Sequence, residues 1–244
     1  MAPARRASYG LARPPPSPKA VNWFLEKPGL PLIAAFAAAL AASILFGYLA
    51  NDVLARQDVH FDPAVRDAIH GWTTPPLTWV MRGITQLGSV PVLIGLGIVL
   101  AWRLLARGRQ RAAVLLFVVP VGGEVLAQAL KFTFQRPRPE AFFDVHAMGY
   151  SFPSGHSVAS CCFYGVVAAI LTRHLRSRAA RAAIWTFAAL LVLLVGVSRI
   201  YLGLHYPSDV VAGYAAAVVW VAAVRAGYEI WLRRRAGPTK DSNS

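Results

Sequence analysis

The chain has 244 residues, 56% of them hydrophobic and only 15% charged, which excludes a disordered polymer and argues against an ordinary soluble domain, where about a quarter of residues are charged. Lys and Arg number 25 against 11 Asp and Glu, a formal net charge of +14. Where those cations fall explains them without nucleic acid, and the two cysteines, Cys161 and Cys162, are adjacent and exclude a disulfide framework.

Residues 1–29 hold Pro14, Pro15, Pro16 and several arginines, with no short apolar core followed by a cleavage site. They read as a disordered basic tail rather than a signal peptide. The first membrane-length apolar segment covers 30–51 and is apolar on every face. Residues 51–82 form the one sizeable loop. In it Phe61, Val65, Ala68, Ile69 and Trp72 recur at helical spacing, which predicts a short amphipathic helix on the membrane surface. Further apolar segments cover 83–102, 112–130, 157–172 and 182–198, and a sixth runs from about 210 past 224. Glu124 is the single acid of the third. Arg225 and Glu229 lie one turn apart in the sixth, where a pair extends the helix to Leu232. The expected fold is all-α: six transmembrane helices with an interfacial helix between the first and second. The expected organisation is a cytoplasmic tail over 1–29, a single transmembrane domain over 30–232 and a second basic, polar cytoplasmic tail over 233–244.

Topology follows from the cations. One side collects Arg5, Arg6, Arg13, Lys19, Lys27, Arg103, Arg107, Arg109, Arg111, Arg173, Arg176, Arg178, Arg181, Arg225, Arg233, Arg234, Arg235 and Lys240. The other has Arg56, Arg66, Arg82, Lys131, Arg136, Arg138 and Arg199. Eighteen against seven places both termini in the cytoplasm of a bacterial inner membrane. The excess charge then faces anionic lipid.

The side poor in cations carries the unusual polar sequence. Lys131 to Pro139 leaves the third span, Pro153-Ser154-Gly155-His156 enters the fourth, and Ser198-Arg199, His205 and Asp209 join the fifth to the sixth. Cations gathered at a membrane boundary imply an anion. Arginine forks match phosphate oxygens in pairs and lysine adds a point charge. Ser154 and Gly155 precede a helix, whose free N–H groups favour an anion. Pro137 and Pro139 stop the third helix so that Arg138 turns back toward the phosphate that Lys131 approaches. His205 and Asp209 are four apart. At the start of a helix the carboxylate holds one ring nitrogen and aims the other at phosphorus, which leaves His156 to protonate the departing oxygen.

These three segments, K-x6-R-P, P-S-G-H and S-R-x5-H-x3-D, make the sequence from about 51 to 225 resemble the type 2 phosphatidic acid phosphatase superfamily, and all three are intact. The resemblance implies an integral membrane lipid phosphatase of the six-helix branch, working at the outer membrane boundary. It implies that His205 is the nucleophile of a phosphohistidine intermediate, that Asp209 orients it, and that His156 is the acid and later the base. Lys131, Arg138, Ser154, Gly155 and Arg199 then bind the phosphoryl oxygens. No metal or other cofactor is expected, and the sequence offers no cluster of carboxylates or histidines to hold a metal. The expected substrate is a lipid phosphate or pyrophosphate: undecaprenyl pyrophosphate first, then phosphatidylglycerol phosphate and phosphatidic acid. The alternative is a lipid phosphotransferase passing the phosphoryl group to an acceptor lipid. The partners are membrane lipids and no nucleic acid; the oligomeric state is open. Glu124 reads as a buried acid bonded to a neighbouring helix, with Gly122 and Gly123 marking close packing. Asp144 and His146 are candidates for the site entrance. His60, His70 and His174 read as surface or interfacial groups, the cysteines as core, and Arg136 as a possible substrate contact resting only on its nearness to Arg138.

Overall fold

The computed structural model describes residues 30–56, 59–143 and 147–236. The tail at 1–29, the 237–244 part of the second tail, Asp144 and His146 lie outside the described residues. Among those described there are eight helices and no strand: α1 (Leu30–Leu54), α2 (Asp62–His70), α3 (Pro75–Gln86), α4 (Val90–Ala106), α5 (Gln110–Phe134), α6 (Gly155–Thr172), α7 (Arg178–Tyr201) and α8 (Pro207–Ala236).

Five of these, α1, α5, α6, α7 and α8, are long and apolar enough to cross a membrane. The segment expected as the second span, 83–102, is divided between two helices: α3 and α4 together pass as a span, bent by 52° at their junction. The cause is local. Ser89 caps α4 and Pro91 sits in its first turn, where a missing N–H costs nothing. The N–H groups of Leu87, Gly88 and Ser89 close turns onto Ile84, Thr85 and Gln86. The Arg225–Glu229 pair forms, at 3.2 Å, near the far end of α8.

The loop helix forms as α2. Its fully buried side chain, however, is Asp62 at 2% exposure, while Phe61 of the expected apolar stripe is 39% exposed. The turn that starts α2 is thus fixed by a polar contact with the rest of the molecule.

α6 lies at the centre, packed by α5, α7 and α8; α1 runs along α8, α4 along α5 and α3 along α7. Small residues set these distances. The carbonyl of Val119 accepts a bond from the Trp220 indole at 2.8 Å, with Gly122 directly beneath that ring. Gly123 faces the Cys162 sulfur, and Gly196 faces the Tyr214 hydroxyl, which donates to the Val192 carbonyl at 2.8 Å. Large apolar side chains point outward instead: Phe36 and Phe187 are each 70% exposed and Trp79 73%. A surface of that kind is stable against lipid and not against water. The interior is reversed at one end, where Lys131, Arg136, Ser154, Arg199, His205, Ser208 and Asp209 are buried together. That end holds the starts of α4, α6 and α8 and the exits of α5 and α7.

A methyl group at Gly196 would overlap the Tyr214 hydroxyl and press on Val210. Gly196→Ala is expected to lower stability by about 1–3 kcal/mol, the usual cost of overpacking. A reduced unfolding midpoint of the detergent-solubilised protein checks this.

Candidate active site

The chain leaves α5 through Gln135, which adopts the left-handed conformation (φ 48°) and returns its N–H to the Lys131 carbonyl. The helix thus ends at Phe134, with Pro137 and Pro139 just beyond its cap, where they cannot continue it. Arg136 and Arg138 then face opposite ways. Arg138 turns back to the cavity, its Nε donating to Gly149 O at 3.0 Å and its Nη1 to Leu204 O at 2.8 Å. Arg136 turns into the protein.

A cavity of about 320 Å³ opens at this end, lined among others by Lys131, Arg138, Gly155, His156, Arg199 and His205. Six of the eight residues expected at the site thus share one cavity. The other two stand directly behind it. Ser154 is the fully buried cap residue of α6, and its hydroxyl has no protein partner. The first N–H groups of α6 lack intrahelical acceptors and present a donor array beside the cavity. Asp209 is fully buried in the first turn of α8.

His205 is held from both ring nitrogens. Nδ1 meets Asp209 Oδ2 at 3.3 Å and Nε2 meets Arg138 Nη1 at 3.2 Å. A guanidinium only donates, so Nε2 is the acceptor and the ring proton sits on Nδ1, facing Asp209. Nε2 and the Arg138 guanidinium that meets it both line the cavity. Burial of the ring lowers the His205 pKa to about 4, with Asp209 pulling the other way. The unprotonated imidazole is therefore the state present at neutral pH.

Lys131 Nζ donates to Tyr150 O at 2.7 Å, and Arg199 Nη1 donates to Thr85 Oγ1 at 3.0 Å, while the buried Arg199 Nε has no partner. Asp209 Oδ2 also accepts from the Tyr206 N–H at 2.9 Å, and its Oδ1 from Arg136 Nη1 at 2.7 Å. The Asp209 carbonyl takes the Ser154 N–H at 2.9 Å, which ties the second motif to the third. Among the described residues no group of three or more His, Cys, Asp or Glu side chains is arranged to hold a metal ion.

Four residues enter the arrangement that sequence reasoning had not placed in it. Arg136, read as a substrate contact, bridges Asp209 and Asp62 instead, with Nη2 on Asp62 Oδ2 at 2.9 Å. Asp62 accepts the Ser208 N–H at 2.8 Å and the Ser208 hydroxyl at 2.6 Å. Thr85 steadies Arg199. Ser208 lies inside the third motif at an unspecified position, and nothing in the loop sequence distinguishes Asp62 from its neighbours. Glu124 also departs from its reading: it bonds Gln128 of its own helix and lines the cavity.

The family model of the PAP2 superfamily matches residues 111–232, which contain all three motifs. The chain belongs to the PAP2 superfamily. It is similar to the phosphatidylglycerophosphatase B of Bacillus subtilis, at 31% identity over 71% of this chain and 85% of that protein. It is also similar to the lipid A 1-phosphatase of Rhizobium etli, at 33% identity over 54% of this chain and 63% of that one. The crystal structure of a transmembrane PAP2 type phosphatidylglycerolphosphate phosphatase from Bacillus subtilis superposes with a TM-score of 0.71 at 29% identity, covering 79% of this chain and 96% of that one. With these membrane relatives and its apolar helices, the protein is an integral membrane protein of this superfamily.

Two outcomes follow from the geometry. Arg136→Ala strips the shared cation from two buried carboxylates, so stability should fall by about 3–5 kcal/mol, as for other broken buried pairs; denaturant unfolding in detergent measures it. Protonation of His205 removes its lone pair as pH falls through about 4. The acid limb of kcat/KM assigned to this ring should therefore lie well below the 6.5 of an ordinary histidine. A pH–rate profile down to pH 3.5 locates it.

Proposed function

We propose that the protein is a metal-independent phosphatase of membrane lipids, working through a phosphohistidine on His205. The observation that carries this reading is the tautomer of His205: Nδ1–H toward Asp209 and an unprotonated Nε2, met by Arg138, beside a cavity lined by Lys131, Arg138 and Arg199. In the first step Nε2 attacks phosphorus, the bond from phosphorus to the lipid oxygen breaks, and His156 gives that oxygen its proton. In the second, His156 takes a proton from water, the water oxygen attacks phosphorus, and the P–N bond breaks to release inorganic phosphate. The three cations, the Ser154 hydroxyl and the Gly155 N–H stabilise the charge on the equatorial oxygens. Asp209 keeps the ring oriented and balances its cationic form.

The substrate is a lipid phosphomonoester or pyrophosphate. A relative of which this chain covers 85% is named for phosphatidylglycerophosphate, and this favours that lipid ahead of undecaprenyl pyrophosphate and phosphatidic acid. Six spans, with α3 and α4 as one broken span and α2 at the membrane surface, bring both termini to the same side. The eighteen-to-seven division of cations puts that side in the cytoplasm and the cavity outside. A binding scaffold without activity would have no use for an imidazole held in that tautomer beside three cations.

The decisive experiment is rapid quench under non-acidic conditions with a phosphate-labelled lipid, followed by mapping of the labelled peptide. Label is expected on His205, and His205→Ala is expected to abolish turnover. His156→Ala is expected to slow both formation and breakdown of the intermediate by roughly 10²–10⁴. Label on His156, or substantial turnover by His205→Ala, overturns the assignment.

A further inference from the structure

The mechanism leaves one polar pair of the cavity unused. Glu124, Gln128 and Lys131 follow one another at spacings of four and three on α5, so they share a face, and all three line the cavity. Glu124 lies two turns before Lys131, about 10 Å deeper along the span. Gln128 Nε2 donates to Glu124 Oε1 at 2.6 Å, and Glu124 Oε2 is buried with no partner. The carboxyl reaches the edge of the phosphate cradle: a Cβ placed on Gly155 would lie 3.7 Å from Glu124 Oε2 and 3.9 Å from the Lys131 Cε.

We infer that Glu124, set by Gln128, forms a leaving-group subsite for a lipid that carries a hydrogen-bond donor, a hydroxyl or amide N–H, within a few bonds of its phosphate ester. The inference rests on the phosphatase reading and deepens it. A buried acceptor without a partner is costly, and a donor on the substrate removes that cost. A leaving group with no donor, such as diacylglycerol or a polyprenol, leaves the oxygen unsatisfied. A second phosphate, the leaving group of a diphosphate, meets a carboxyl instead of a cation. A site built to bond a substrate donor rejects analogues lacking it far more strongly than an apolar pocket rejects a misfit. The subsite therefore selects a hydroxylated phosphomonoester such as phosphatidylglycerol phosphate, whose leaving glycerol carries a hydroxyl on the carbon next to the ester.

The test uses the purified full chain in mixed micelles with phosphatidylglycerol phosphate, phosphatidic acid and undecaprenyl pyrophosphate, and reads phosphate released. The quantity is the ratio of kcat/KM between the first lipid and each of the others, in which the folded fraction of a variant cancels. Glu124→Gln keeps the shape and the bond to Gln128 but turns the free acceptor into a donor. It is expected to lower the phosphatidylglycerol phosphate to phosphatidic acid ratio about tenfold or more and to raise the relative rate on the pyrophosphate. Gln128→Met, which frees the carboxyl to swing, is expected to lower the same ratio. Ratios that stay constant in both variants, or a wild-type preference for phosphatidic acid, overturn the subsite while leaving the phosphatase reading intact. Release from none of the three lipids by the wild type, with all of them delivered in micelles, overturns that reading and the subsite with it.

Discussion

The Asp209 carboxylate is buried out of reach of water, and an ion in that position has to be satisfied by the protein on every side. Its partners come from separate parts of the chain. His205 and the Tyr206 N–H approach from the turn before α8, and Arg136 from the exit of α5. Arg136 in turn requires Asp62 of the loop helix, and Asp62 is closed by Ser208. Satisfying one carboxylate thus recruits α2, the end of α5 and the start of α8, and the Ser154 N–H on the Asp209 carbonyl adds α6. The ring of His205 is aimed by a unit in which no member has slack.

Within that unit the cations divide by the kind of partner they keep. Arg136 has two carboxylates, which cancel its charge where it sits. Lys131, Arg138 and Arg199 are held by neutral oxygens: the carbonyls of Tyr150, Gly149 and Leu204, and the Thr85 hydroxyl. A carbonyl fixes the position of a cation while leaving most of its charge to act on whatever enters. The same residue type is buried between carboxylates in one position and cavity-facing two residues later, and the acceptors supplied make the difference.

Sequence alone revealed the elements whose signals are local. Apolar runs of membrane length marked α1, α5, α6, α7 and α8, and the three motifs named residues that the fold brings to one cavity or directly behind it. The departures arise where a local break or a specific contact decides, neither of which an apolar period records. The 83–102 run carries no charge, yet Ser89 and Pro91 start a new helix inside it. The stripe of α2 marked the helix itself, while the burial of Asp62, which no apolar period records, sets how that helix docks. Arg136 and Arg138 stand two apart in a segment with no regular period, so nothing in the string says which faces the cavity. Glu124 read as an acid bonded to another helix, because spacing cannot show that its partner, Gln128, lies on the same one.

The bonds between Asp62 and Ser208 join positions 146 residues apart. A polytopic chain is made from the N-terminus and its spans are handed to the bilayer in order. The acid of α2 is therefore synthesised long before the serine that closes it, and Arg136 before either of the groups that fix His205. The centre assembles only when the last helix arrives. A nascent chain stalled before Pro207 carries His205 and the cations but neither Ser208 nor Asp209, so the ring still lacks the carboxylate that orients it and Arg136 has only one of its two acids.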